Sequence, residues 1–214
     1  MVGHESLNRD KRSSYGGAMP AYRHHTVGSR TKLLLCGDSG SGKTSSLATL
    51  ANAGYNLRIL DFDAGLDVLG NYLEGDAIDK VHYVTVRDTM TRATAFEKAS
   101  KLLSTGWVES EYVDTIDLGL PKDWGGKDVL VIDSLTFLAN SAMRRILYRD
   151  GKKFTSQPTL QQWGEAGRDI EMLIQWLTSN ELPCNLVVTT HVQYYEEPGG
   201  GSRVYPVAIG RKLP

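Results

Sequence analysis

An α/β fold, with a mostly parallel central sheet of at least five strands and helices on both faces, is what this sequence predicts. Three observations point there. From Lys32 onward, short apolar runs rich in β-branched residues alternate with helix-period segments, the pattern of strand–helix–strand units. A glycine-rich loop, Gly37-Asp38-Ser39-Gly40-Ser41-Gly42-Lys43-Thr44, stands between the first such run and a helical one. That is the strand–loop–helix setting required by the phosphate-binding pattern G-x-x-x-x-G-K-[ST]. A later run, Val129-Leu130-Val131-Ile132, ends in Asp133, which puts a carboxylate on the ligand edge of a parallel sheet.

Taken in order, residues 1–30 are polar and glycine-containing, with Arg9, Lys11, Arg12, Arg23 and Arg30 against only Glu5 and Asp10. They read as a flexible basic arm, either a solvated tail or a segment that docks on a neighbouring subunit or on nucleic acid. Residues 31–214 read as one domain built around the phosphate-binding loop. Lys32 to Cys36 is a short apolar run expected as a buried strand, and Ser45 to Ala51 opens a helix. Leu57 to Asp61 is the second strand, followed by a short helix around Leu66 to Leu73. Val81 to Val86 is the third, β-branched and aromatic, followed by a helix over Ala93 to Ser104. Gly106 to Gly126 is too long for a plain connection and reads as a surface excursion. Val129 to Ser134 is the fourth strand, with a helix from Leu135 to Tyr148 and a polar loop to Pro158. Thr159 and Gln162 have capping-box spacing. Leu160, Trp163, Gly167, Ile170, Ile174 and Leu177 then trace one helical face. Asn185 to His191 is the fifth strand, and Val192 to Pro214 is rich in glycine and proline.

The composition excludes some classes. In 214 residues, charged side chains make up 23% and the formal net charge is −1, so no global field selects a polyanion or a membrane surface. No apolar run approaches the roughly 18 residues of a membrane span, and the N-terminus lacks a signal-peptide core. Cys36 and Cys184 each border an apolar run and read as reduced core thiols. These features lead us to expect a cytoplasmic protein.

In the glycine loop the backbone can wrap an anion without Cβ clashes, and successive N–H groups with the helix N-terminus face the phosphates. Gly37, Asp38, Ser39, Gly40, Ser41, Gly42, Lys43, Thr44 and Ser45 are therefore the candidate nucleotide-binding residues. Lys43 is placed to reach the β- and γ-phosphates of ATP, and the Thr44 hydroxyl to ligate Mg²⁺. Asp133 has the form of a Walker B acid that shares the Mg²⁺ shell with Thr44. Its plainer alternative is an acid that caps the next helix.

From about Lys32 to Gly210 the chain resembles the RecA-like ATPase core, and in look the compact RecA-like ATPases of bacteriophages linked to single-strand annealing and recombination. The resemblance rests on the Gly-Asp-Ser-Gly-Ser-Gly-Lys-Thr loop and on Leu60-Asp61-Phe62-Asp63-Ala64-Gly65-Leu66-Asp67. It extends to Asp133-Ser134 and to Val187-Val188-Thr189-Thr190-His191. It implies that Asp63 is the catalytic carboxylate, where RecA has the longer Glu; the alternative is a helix cap. It places Asp67 near the adenine and gives His191 the γ-phosphate-sensing role that the family often assigns to Gln. It implies a DNA-stimulated ATPase that assembles as a homo-oligomer, ring or filament, on single-stranded DNA, with a single-strand-binding protein as a further partner. In the family the chain continues past a Gly-rich turn into further strands. Ala208 to Pro214 begins such a turn, so the C-terminal strands are either truncated or replaced by an exposed sheet edge.

By the same resemblance, two loops are candidates for DNA. The first carries Arg144, Arg145, Arg149, Lys152 and Lys153, with Tyr148 and Phe154 interleaved, as suits phosphates and stacked bases. The alternative is a solvated helix end whose cations favour the dipole. The second, from Gln193 to Tyr205, carries Tyr194, Tyr195 and Arg203 around three glycines, with Glu196 and Glu197 opposing a simple phosphate groove. Arg211 and Lys212 are either an arginine-finger-like pair or a charged tail. Two other readings stay open: an ATP-switched module with little turnover that recruits a replication or recombination partner, and, less well supported for want of an arginine-rich lid, a small-molecule kinase.

Overall fold

The computed structural model describes residues 30–109, 116–197 and 199–208. The basic arm up to residue 29, Arg211, Lys212 and most of the 208–214 turn lie outside the described residues. Among the described residues five parallel strands form the central sheet: β1 (Lys32–Cys36), β2 (Asn56–Asp61), β3 (Val81–Thr85), β6 (Asp128–Asp133) and β7 (Asn185–Thr190), in the order β1-β7-β6-β2-β3. Two antiparallel ribbons accompany it, β4 (Val108–Glu109) with β5 (Ile116–Asp117), and β8 (Val192–Glu196) with β9 (Ser202–Pro206).

The strands are apolar on both sides because both faces are covered. On one face Leu60, Val84, Leu130, Ile132, Leu186 and Val188 pack against α3 (Ala95–Thr105), α4 (Leu135–Arg149) and α5 (Leu160–Thr178). On the other, Leu57, Ile59, Val129, Val131 and Val187 meet Leu47, which follows the short helix α1 (Lys43–Ser46), and α2 (Ala48–Asn52). In α4, Leu135, Leu138, Ala139, Ala142, Met143, Ile146 and Leu147 are buried; their i, i+3, i+4 spacing makes the stripe that faces the sheet and α5. Among the described residues no helix is long and apolar enough to cross a membrane.

The Thr159–Gln162 capping box is formed. Thr159 Oγ1 accepts from Gln162 N, and the Gln162 side chain accepts from Thr159 N at 2.9 Å. The same side chain donates to Asp150 at 2.7 Å and accepts from Lys152 at 3.1 Å, which ties the 150–158 loop to the start of α5. We expect Thr159→Ala to cost about 1 kcal/mol, read as a fall in thermal midpoint of about 2–4 °C. An unchanged midpoint would show that this cap contributes nothing.

Three sequence expectations are corrected, and one element is added. Among the described residues β1 is an edge strand, with Leu33 43% and Leu34 46% exposed, so its apolar run is not a buried one; an apolar run does not encode which strand ends up outermost. Cys184 is buried but Cys36 is exposed, at the end of that same edge strand. The 106–126 connection is not merely a surface excursion. It sends Trp107 and Trp124 into the core, rings 5.6 Å apart, with the Trp124 indole donating to Leu118 O at 2.7 Å. The segment after Val192 contains a hairpin. Its signal was the alternation in Val192 to Tyr195 and Arg203 to Tyr205 across three glycines, all of them at positive φ.

Candidate functional site

The strand ends that matter lie side by side because the sheet is parallel and the loops after β1, β2, β6 and β7 leave from one edge. After β1, Gly40 and Gly42 take φ of 75° and 88°, a region costly for side chains. A Cβ on Gly37 would meet Ser41 Oγ at 2.5 Å. The Lys43 ammonium folds back on the loop and donates to Gly37 O at 2.9 Å and Asp38 O at 2.7 Å.

β6 delivers Asp133, 1% exposed, and the Asp133–Ser134 peptide bond is cis. Thr44 Oγ1 donates to Asp133 Oδ2 at 2.8 Å, and Thr189 Oγ1 from β7 donates to Asp133 Oδ1. The first glycine-loop helix, the Walker-type acid and the fifth strand thus meet at one carboxylate. Thr189 was not singled out from sequence; a Thr-Thr pair closing an apolar strand was the available signal. Thr136 and Thr190 extend the network, with Thr136 Oγ1 accepting from His191 N at 3.1 Å.

After β2 the chain makes a tight turn. Asp61 Oδ1 accepts from Ala64 N at 2.7 Å, and Phe62 N donates to Asp133 O at 2.6 Å. Asp61 is thus committed to holding the turn. Ala64 sits at φ 56°, uncommon for a residue with a side chain. Asp63 projects into the site. Its Oδ1 is buried without a hydrogen bond, and its Oδ2 lies 3.9 Å from His191 Nε2, which is likewise buried and unbonded. His191 meets the Phe137 ring edge-on, centroids 5.8 Å apart. Asp67 is exposed on the 3-10 turn Leu66–Asn71.

Two of the acids at these strand ends are held above their ordinary range, burial being the first cause in each. Burial, and then the Asp133 charge, push the Asp63 carboxyl above the usual carboxylate range, with His191, the Gly65 backbone N–H and Lys43 opposing. Burial raises Asp61 as well, and Asp63 and Asp133 add to it. Thr44 and Asp133 fit Mg²⁺, which takes one or two protein oxygens and completes its shell with phosphate and water. Among the described residues no group of three His, Cys, Asp or Glu side chains could hold a metal alone.

The cations proposed for DNA separate into two sets. Arg144, Lys152 and Lys153 line a cavity of about 680 Å³ with Tyr148 and Phe154, opposite Asp88 to Thr91. Arg144 lies 6.0 Å from the Phe154 ring, itself 6.3 Å from Tyr148, and 4.0 Å from Asp88. Arg145 and Arg149 instead face α5: Arg145 bonds Asp169 at 2.5 Å and covers Phe96, and Arg149 holds Glu165. In the hairpin, Tyr195 packs on Tyr205 and Arg203 pairs with Glu197. Tyr194 reaches the glycine loop, where its hydroxyl donates to Asp38 Oδ2 at 2.9 Å, a bond that pushes its phenol pKa up.

The family model described as an AAA domain matches residues 29–212. No curated protein matches the chain. Among solved structures, a prototypical ATPase from the type III secretion system of pathogenic bacteria is similar at 16% identity and a TM-score of 0.48. The match covers 75% of this chain and 44% of that one, so this chain spans less than half of that protein's length.

Proposed function

The chain belongs to the AAA domain family of P-loop ATPases, and from that premise we propose a RecA-type, Mg²⁺-dependent ATPase that single-stranded DNA stimulates. It would act in phage-like recombination, single-strand annealing or repair, as a ring or filament of copies. The observation that carries the reading is the 2.8 Å bond from Thr44 to Asp133, with Asp63 Oδ1 and His191 Nε2 buried and unbonded in the same site. Loop amides and Lys43 bind the phosphates. Mg²⁺ held by Thr44 and Asp133 supplies neutralisation of the charge that builds on the phosphate oxygens. Asp63 orients the attacking water, and His191 donates to a γ-phosphate oxygen.

Support for DNA comes from the cavity that pairs Arg144 and Lys153 with two aromatic rings, a combination suited to phosphate and base. We expect oligo-dT to raise phosphate release. Arg144→Ala with Lys153→Ala should weaken oligo-dT binding, measured by anisotropy, about tenfold and flatten the log–log salt slope by about one to two. Arg149→Ala, whose guanidinium is already held by Glu165, should change little. Unaltered binding in the double variant would dismiss this path for the strand.

The Tyr194–Asp38 bond favours a second reading. It ties the β8–β9 hairpin to the nucleotide loop, as a nucleotide-switched module with little turnover would need. Multiple-turnover phosphate release separates the two: sustained release supports the ATPase, and a single turnover supports the switch.

A further inference from the structure

The Asp63 turn receives one contact that the site described above does not use. Arg87 follows β3, and its guanidinium donates to the main-chain carbonyl of Asp63 at 2.6 Å. We propose that Arg87 is a positioning residue for hydrolysis: it fixes the backbone from which Asp63 reaches the attacking water. This inference rests on the reading of Asp63 as the water-orienting acid.

Three observations carry it. The first is the length of the side chain. An aspartate has one fewer rotatable bond than a glutamate, so it corrects a misplaced backbone less well, and its reach is set by where its own Cα is held. A hydrogen bond to the attacking water needs a heavy-atom separation of about 2.6–3.2 Å, which leaves little slack. The second is the turn itself. Ala64 is held at positive φ, and Asp61 and the Asp133 carbonyl grip the turn at Ala64 and Phe62. Those bonds fix the residues on either side of Asp63, and Arg87 fixes Asp63 itself. The Asp63 carboxylate faces the site with Oδ2, 3.9 Å from His191 Nε2, while Oδ1 is buried beside Gly65 of the same turn.

The third is that Arg87 stands on a firm base. Val86 N donates to Asp61 O at 2.7 Å, which prolongs the β2–β3 ladder by one residue. Asp88, its side chain 1% exposed, accepts from Ala95 N at 2.9 Å and anchors the start of α3. Thr89 N donates to Arg92 O, and Arg92 N to Thr89 Oγ1, each at 3.0 Å, so the loop is knitted internally. The Arg87 backbone is thus held in place, and its guanidinium reaches the Asp63 carbonyl from a fixed starting point. Its side chain lies at the surface, where one hydrogen bond adds little to global stability. The contact therefore bears on Asp63 more than on folding.

A double-mutant cycle over Arg87 and Asp63 tests this, with phosphate release for kcat and a fluorescent ATP analogue for affinity. Arg87→Ala is expected to lower kcat about tenfold, as a modest misplacement of a reacting group does, while nucleotide affinity stays within about twofold. Arg87→Lys, which still donates to the carbonyl, should recover most of the rate. In an Asp63→Asn background, Arg87→Ala should lower kcat no further, because the group that it positions is already disabled. An equal loss in both backgrounds, or an unchanged kcat in Arg87→Ala while Asp63→Asn is slow, overturns the role of Arg87 and leaves Asp63 in place. Normal turnover in Asp63→Asn overturns the reading of Asp63 itself, and the proposal with it. Thermal midpoints record whether any variant has lost its fold.

Discussion

Lys43→Ala is expected to abolish measurable ATP turnover and to weaken ATP binding. In this structure the ammonium is bonded to Gly37 O and Asp38 O, the backbone of the very loop that would wrap the phosphates. When a triphosphate arrives, those two neutral acceptors compete with oxygens carrying full negative charge, and a charge-assisted bond is roughly twice as strong as a neutral one. Lys43 is therefore held near its target without being trapped. Its removal deletes a charge that acts most where negative charge builds during transfer. Loss of a single pre-organised donor of this kind costs about 10²–10³ in kcat. Lys43→Met keeps much of the stem and separates loss of charge from loosening of the loop. If the charge is what matters, both variants lose turnover together. Phosphate release that persists at the normal rate in Lys43→Ala would remove the glycine loop from the account altogether.

The residues that made this site legible in the sequence are those whose chemistry is local. The loop from Gly37 to Thr44 needs only its own glycines to bend and its own lysine to carry charge. Asp133 closes an apolar run, and a carboxylate at that end of a strand falls on the ligand edge of a parallel sheet. The Thr159 cap is written within four residues. What was not legible depends on partners distant in sequence. Thr189 bonds Asp133 across β6 and β7, and Arg87 meets Asp63 only because β2 and β3 pair in the register that sets Asp61 beside Thr85. Arg145 and Arg149 looked like phosphate ligands until α5 supplied Asp169 and Glu165. A run of cations in sequence cannot reveal that acids on another helix already occupy them. The exposure of Leu33 and Leu34 has the same cause: strand order, not strand composition, decides which run is covered.

Asp133→Asn is expected to trade activity for stability. Asparagine fills the same space, and both neighbours can be kept. Its carbonyl accepts from one of Thr44 and Thr189, and its amide donates to the other, since a threonine hydroxyl can serve either role. What disappears is one negative charge among three carboxyls at neighbouring strand ends. Asp133 is among the causes that raise the folded-state pKa of both Asp61 and Asp63. A carboxyl whose pKa is raised on folding contributes stability below its unfolded value, and that contribution is lost as pH rises through the folded value. As pH rises through those folded-state values the wild-type protein, free of nucleotide and metal, takes on this repulsion, and removal of the Asp133 charge relieves it. The thermal midpoint of Asp133→Asn should then exceed the wild type's by on the order of a few degrees at pH 7.5. The gap should close as the solution is acidified towards pH 4, where the unfolded carboxyls also take up protons. Turnover should move the other way. With Thr44 alone to hold the cation, stabilisation of charge by several kcal/mol is at stake, which corresponds to a fall of about 10² or more in kcat. Nucleotide binding should become nearly insensitive to added Mg²⁺. A variant that is less stable at neutral pH, yet hydrolyses ATP normally, would show that Asp133 is a structural acid buried for the sake of its two threonines.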